Sequence, residues 1–139
     1  MSKKPIMEFE NIEQAYECLA EWQTRLFLND WLIKICLCDE EVHFEGEKQA
    51  GIIDFKQSIK TARIDLSPHN EENNSGVLKF CHEKVLVHEL MHLKINFACV
   101  PSTCEEAYFA SAEHALIEQM AKSLVMAKYG LDFSWFKNF

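Results

Sequence analysis

Residues 85–93 have the sequence Val85-Leu86-Val87-His88-Glu89-Leu90-Met91-His92-Leu93. In a helix, side chains four positions apart lie one above the other, so the rings of His88 and His92 would converge on one point. Glu89 would project about 100° around the helix and would contact a water molecule at that point without itself becoming a ligand. The spacing is the H-E-x-x-H pattern, and it predicts two metal ligands with a base beside them.

The apolar flanks of this pattern predict a buried helix. Val85, Leu86, Leu90 and their neighbours make the segment from about residue 78 to residue 97 apolar around most of its circumference, as expected for a central helix packed on more than one side. Two uncharged imidazoles and a carboxylate are costly to bury there unless a partner satisfies them, and a metal ion would do so. The alternative is a pair of hydrogen-bonded core histidines beside a solvated glutamate.

A catalytic zinc site also needs a third protein ligand and an open position. A second long helix is predicted from about residue 105 to residue 129, where Gly130 stops it. At about 100° per residue, its apolar face contains Phe109, Ala112, Leu116, Ile117, Met120, Leu124 and Ala127. Glu113 falls near the centre of this face, where an unpaired carboxylate would be costly and coordination to zinc would remove that cost. We therefore expect Glu113 to be the third ligand.

Other interpretations of this helix remain open. His114 lies at the edge of the apolar face, and it could be the ligand, hold a ligand in place, or donate a hydrogen bond to a substrate oxyanion. Glu118 is predicted on the opposite side, as a solvated charge paired with Lys122 four residues later. A buried Glu113 could also pair with an arginine or lysine of the sheet instead of a metal.

The remaining segments predict an α+β fold. A first amphipathic helix is expected from about residue 8 to residue 28, followed by strands near 31–37, 50–55 and 59–66 that form a small antiparallel sheet. A polar loop over 67–76 separates the sheet from the later helices, and an aromatic tail covers 131–139. We expect one domain over 1–139, with its core from about residue 8 to residue 130.

The composition argues against two classes of partner. There are 14 Lys plus Arg against 22 Asp plus Glu, a formal net charge of -8, so the chain lacks the basic stripe that a nucleic-acid partner requires. No segment has the apolar length of a membrane span or the form of a secretory signal, and we expect a cytoplasmic protein without a membrane partner. The six cysteines are then expected as free thiols. Cys36 and Cys38 lack the two-residue gap of a zinc knuckle and are interpreted as strand thiols.

Two segments together carry a resemblance to a known family: Leu86-Val87-His88-Glu89-Leu90-Met91-His92-Leu93 and Glu113-His114-Ala115-Leu116-Ile117. The pair resembles the small single-domain gluzincins, the minigluzincin-like zinc metallopeptidases known from bacteria and phages. The resemblance covers roughly residues 30 to 128, and the strand at 62–66 looks like the substrate-side edge strand of those domains. It implies a zincin-like fold with an N-terminal helix, a small mainly antiparallel sheet, an H-E-x-x-H helix and a glutamate helix. It also implies zinc held by His88, His92 and Glu113.

These expectations define a function and a rival to it. The natural reaction is hydrolysis of a peptide or protein substrate, in which Glu89 takes a proton from a zinc-activated water and returns it to the leaving nitrogen. An extended peptide would pair with the edge strand near Ile64. The oxyanion donor is open among His114, His82 and Tyr129, and the aromatic tail either covers a core edge or restrains the cleft. The rival is a catalytically silent zincin-like module that binds a protein partner.

Overall fold

The computed structural model describes residues 4–44, 46–68, 80–95 and 106–136, except for the side chains of 106–111 and 133. The helices are α1 (Ile12–Arg25), α2 (His82–Lys94) and α3 (Glu106–Tyr129), and a 3-10 helix follows at Phe133–Phe136. The strands are β1 (Leu32–Leu37), β2 (Val42–Phe44), β3 (Glu47–Gln49), β4 (Gly51–Lys56) and β5 (Thr61–Leu66). The predicted α+β class is confirmed. From residue 69 onward, the loop predicted over 67–76 lies outside the described residues.

Helix α1 is fixed at its start by a cap and along its length by an apolar stripe. The side-chain oxygen of Asn11 accepts a hydrogen bond from the backbone N–H of Gln14 at 2.8 Å, which satisfies one free donor of the first turn. The buried residues of the helix recur every three or four positions: Ala15, Cys18, Leu19 and Trp22. The predicted first helix is therefore confirmed. It ends before residue 28 because Phe27, at φ 58°, turns the chain out of the helix.

The three-stranded sheet is mixed, with β5 at its centre in the order β1-β5-β4. β5 runs parallel to β1 and antiparallel to β4, while β2 and β3 form a separate antiparallel hairpin. The expectation of a mainly antiparallel sheet thus needs correction for the β1–β5 ladder. These two strands are connected through the hairpin and β4 rather than by a tight turn, and a connection of that length permits parallel pairing.

The edges of this sheet are β1 and β4, with β4 on the side next to α2, and the interpretation of 62–66 as a substrate-side edge strand is wrong. β5 is hydrogen-bonded on both sides, so its backbone has no free edge for an incoming peptide. Among the described strands, β4 pairs only with β5, and it packs against α2. Gly51 permits this contact, because a Cβ there would lie 2.8 Å from Cγ1 of Val85 on α2.

Helix α3 packs against α2 with a different face from the one predicted. From residue 112 onward, its fully buried residues are spaced four apart: Ile117, Ala121 and Val125. In the predicted face, Leu116 is 44% exposed and Ala112 is also exposed. At about 100° per residue, the buried stripe is rotated by roughly 80° from the predicted one, toward His114 and Glu118. Apolar residues cover much of the circumference of α3, so their period alone does not select the side that faces α2.

A buried carboxylate joins α2 to α1 and α3. Glu83 is fully buried, and its oxygens accept hydrogen bonds from three side chains: Trp22 Nε1 at 2.8 Å, Lys128 Nζ at 2.8 Å and Tyr129 Oη at 2.6 Å. Burial alone would raise the pKa of Glu83. The hydrogen bonds from Lys128 and Tyr129, from the backbone N–H of Ile6 and from Trp22 outweigh it and hold the pKa below its ordinary value. Glu83 is therefore charged and anchors the first turn of α2.

The described part of the aromatic tail covers an edge of the core. Phe136 is 1% exposed and belongs to the buried apolar cluster, and the Trp135 ring packs edge-on against it. This placement agrees with the first of the two interpretations of the tail.

Two other sequence expectations concern thiols and membranes. Cys18, Cys36, Cys38 and Cys81 are free thiols, as predicted, whereas Cys99 and Cys104 lie outside the described residues. None of the helices in the described ranges combines the length and the apolar character needed to cross a bilayer.

Replacing Glu83 with glutamine should lower the free energy of unfolding by about 3 kcal/mol at neutral pH, because Lys128 loses its buried charged partner. Folding lowers the pKa of Glu83, so its contribution is present above the ordinary value of 4.5 and is lost as the pH falls through the lowered value. Urea unfolding of the wild type and Glu83→Gln at neutral and acid pH measures both effects, with the exposed Glu17→Gln as control. A difference in stability that does not shrink in acid would contradict this account.

Candidate metal centre

The H-E-x-x-H side chains meet on one side of α2, as the spacing predicted. One ligand atom from each of His88, Glu89 and His92 lies within 4.8 Å of the other two. His88 is 7% exposed and Glu89 5% exposed, while His92 is half-buried at the end of the group nearer solvent. The fold therefore gathers two imidazoles and a carboxylate in a largely desolvated place.

The distance between the two rings fits coordination of one metal ion. A zinc–nitrogen bond is about 2.0–2.1 Å long, so two imidazoles bound to one tetrahedral zinc have ring centres roughly 5 Å apart. The ring centroids of His88 and His92 are 5.3 Å apart. Imidazole nitrogen suits zinc and several other divalent transition metals, so the donor set identifies a class of ion and not one element.

Burial keeps His92 neutral. Desolvation, followed by the charges of His88 and His114, lowers the pKa of His92 to about 4. The ring is therefore unprotonated at neutral pH, and a nitrogen lone pair is available to a metal without displacing a proton.

A carboxylate on α3 orients His88. Nδ1 of His88 lies 2.9 Å from Oε1 of Glu118, and the other oxygen of Glu118 lies 2.9 Å from Nζ of Lys84. Burial would raise the pKa of Glu118, but the hydrogen bond from His88 and the charge of Lys84 lower it to about 2. A charged carboxylate only accepts, so Nδ1 of His88 donates this hydrogen bond and Nε2 is the ring nitrogen left for a metal.

The prediction for Glu118 as a solvated charge paired with Lys122 is therefore wrong. The rotation of α3 turns Glu118 toward α2, where it contacts Lys84 and His88. A signal for this contact exists in the sequence: Lys84 and His88 are four apart on α2, and His114 and Glu118 are four apart on α3. When two such helices pack antiparallel, the acidic Glu118 of one pair can lie beside the basic Lys84 of the other.

Glu89 is a buried carboxylate whose proton affinity is raised by its surroundings. Burial, opposed by the charges of His88 and Lys84, raises its pKa to about 7. Within the described part of the chain, no group donates a hydrogen bond to it. A carboxyl group that exchanges a proton near neutral pH is suited to general base and general acid work.

Two cavities open beside these side chains and share several lining residues. The larger, of about 370 Å³, is lined by Phe44, Gln49, Gly51, Ile52, Ile53, His88, Glu89, His92 and His114. The smaller, of about 110 Å³, also reaches His88, Glu89 and His114 and adds Lys84 and Glu118. The imidazoles and Glu89 thus face a space bounded on the far side by the edge strand β4.

The third ligand predicted from the sequence, Glu113, is placed apart from this space. It is half-buried, its pKa is raised by burial, and it lines neither cavity. Neither Glu113 nor His114 belongs to the group whose ligand atoms converge within 4.8 Å. The neighbouring His114 lines both cavities, with its ring centroid 4.7 Å from that of His88 and 6.3 Å from that of His92. The assignment of Glu113 stays a prediction.

Two of the three candidate oxyanion donors are used elsewhere in the fold. His82 is buried, with Nδ1 accepting from the backbone N–H of Phe9 at 3.0 Å and Nε2 lying 2.8 Å from the carbonyl oxygen of Ser67. The hydroxyl of Tyr129 donates to Glu83. Neither side chain lines the cavities beside His88, which leaves His114 as the candidate placed there.

The tail and the thiol pair lie away from this centre. The described side chains of 131–136 line neither cavity, which gives no support to a tail that restrains the cleft.

Cys36, Cys38 and Asp65 form a second cluster with ligand atoms within 4.8 Å. There, burial and the neighbouring Cys36 raise the pKa of Cys38 to about 11, and Arg63 Nε already pairs with Asp65 at 2.9 Å. The interpretation as a strand thiol holds for Cys36, which lies in β1, whereas Cys38 follows the last residue of that strand.

Comparison of the chain with models of known protein families, with curated proteins and with solved structures gave no match.

We expect the full chain to bind one divalent ion of the zinc class at this centre. His92→Ala should lower the affinity by more than about 100-fold, because a neutral imidazole ligand is lost. His43 is an exposed histidine on β2 that lines neither cavity, so His43→Ala should bind like the wild type. Metal content after dialysis against a metal buffer, measured by mass spectrometry of the ion, checks this. Equal metal content in His92→Ala and the wild type would exclude the site.

Proposed function

We propose that this chain is a zinc-dependent peptidase of the zincin type. The observation that carries the proposal is the arrangement around one cavity of two imidazoles at metal-binding separation and a buried carboxylate to which no described residue donates a hydrogen bond. A buried carboxylate costs several kcal/mol unless it is satisfied or protonated, so its retention beside two ligands points to a proton-transfer role.

The roles of the side chains follow from their positions. His88 and His92 would hold the ion, which supplies a Lewis acid for the substrate carbonyl and lowers the pKa of the attacking water. Glu89, whose carboxylate lies beside both imidazoles, would remove a proton from that water and return it to the leaving nitrogen. Glu118 keeps Nδ1 of His88 protonated, so the ring presents the same nitrogen to the cavity in each turnover.

The edge strand β4 supports an extended peptide as the substrate. Its residues Gly51, Ile52 and Ile53 line the larger cavity opposite the imidazoles. Main-chain groups on the unpaired side of an edge strand accept an extended peptide by β-sheet pairing, and neighbouring apolar side chains provide pockets for alternate residues. The sequence predicted peptide binding at Ile64 in β5. Because β5 is paired on both sides, we propose β4 as the binding strand instead.

Glu89→Gln tests this function. We expect it to retain stoichiometric zinc and to lower the rate of peptide cleavage by at least about 100-fold, because the base is lost while the ligands remain. Zinc content and cleavage of a random peptide library, followed by mass spectrometry, measure the two properties separately. Glu17→Gln, an exposed change on α1, is the matched control.

The outcomes separate the peptidase from its rival. Undiminished cleavage by zinc-loaded Glu89→Gln would contradict the proposed base. A wild-type chain that binds zinc fully and cleaves no library peptide would favour the silent interaction module.

A further inference from the structure

The contact between Glu118 and α2 fixes the register of α3 at the metal centre. Glu118 accepts from Lys84 and from His88, which lie one turn apart on α2. Because α3 runs antiparallel to α2 here, the residue one turn before Glu118 on the same face comes level with the next turn of α2. That residue is His114, and the next turn of α2 carries His92.

The ring separations place His114 within reach of the same ion. Three imidazoles on one tetrahedral zinc would have ring centres roughly 5 Å apart in each pair. The observed separations are 5.3 Å for His88 and His92, 4.7 Å for His88 and His114, and 6.3 Å for His92 and His114. The one long separation closes when the ring of His114 moves by about 1 Å, which side-chain rotation at a solvent-facing position allows.

The adjacent Glu113 does not have this placement. It lies about 100° around α3 from His114, and it borders neither cavity that contains His88. The reason for expecting it as a ligand was deep burial at the centre of an apolar face, but the buried stripe is rotated away from it and the carboxyl group reaches solvent. A half-exposed carboxylate needs no metal to satisfy it.

We propose that His114 is the third metal ligand, completing a three-histidine site, and that Glu118 is a positioning residue that orients His88. The proposal rests on the proposed metal-dependent function and specifies how α3 contributes to it. Imidazole ligands carry no negative charge, so a site of three histidines would keep the net charge of the metal ion. The nearby carboxylates of Glu118 and Glu89 would offset this charge without binding the ion.

Metal affinity of four full-length proteins tests the assignment: wild type, His114→Ala, Glu113→Ala and Glu118→Gln. Competition with a chromophoric chelator gives zinc affinity. The visible spectrum after cobalt(II) loading reports the ligand set. We expect His114→Ala to lose more than about 100-fold in zinc affinity and to change the cobalt spectrum, while Glu113→Ala stays within about threefold of the wild type.

The positioning role of Glu118 has its own readout. Glu118→Gln should lower zinc affinity by about 10-fold to 100-fold. In the metal-free protein, long-range proton–nitrogen spectra should show His88 as the Nδ1-protonated tautomer in the wild type and as a mixture in Glu118→Gln. An unchanged tautomer together with unchanged affinity would overturn this role. Urea unfolding of each metal-free variant shows whether the fold is retained.

The possible failures are distinguishable. If Glu113→Ala loses zinc and His114→Ala does not, Glu113 is the ligand and the three-histidine site is wrong, although the proposed function survives. If the wild type itself takes up no zinc or cobalt(II), both proposals fail. If His114→Ala alone is unfolded without metal, His114→Glu replaces it: a restored affinity with an altered cobalt spectrum supports a ligand at position 114, and an affinity as low as that of His92→Ala overturns it.

Discussion

Helix α2 buries four ionisable side chains, His82, Glu83, His88 and Glu89, and the surrounding structure must satisfy each of them. Three have protein partners. His82 contacts two backbone groups, Glu83 collects donors from α1, α3 and the residues before α1, and His88 is held by Glu118. The fourth, Glu89, has no hydrogen bond from any residue that the structure describes. The described residues that pack around α2 thus leave one carboxylate without a hydrogen bond from them, next to two imidazoles.

Much of this arrangement could be predicted from the sequence because it depends on local spacing. The positions of His88, Glu89 and His92 follow from helical geometry alone, and the apolar residues that flank them correctly indicated a buried helix. The strands β1, β4 and β5 were also found near their true positions, since β-branched residues and alternation mark them.

The parts that could not be predicted depend on contacts between elements. The order of the strands is one case, because the alternation in β5 is the same for a central strand as for an edge strand with one buried face. The rotation of α3 is the other. The apolar residues Leu116, Ile117 and Met120 define several faces of similar quality. The contacts of Glu118 with Lys84 and His88 select one of these faces. A rotation of this size is enough to exchange the places of Glu113 and His114.

Gly51 has a consequence for the groove between β4 and α2. The strand approaches Val85 so closely that no side chain fits between them, and the same glycine lines both cavities next to the imidazoles. The spacing across the groove is therefore set by main-chain atoms of the strand. A side chain can change rotamer, whereas the main chain of a hydrogen-bonded strand keeps one conformation. Because Gly51 has no Cβ, β4 packs directly on α2, and this contact holds the strand edge at a constant distance from the imidazoles.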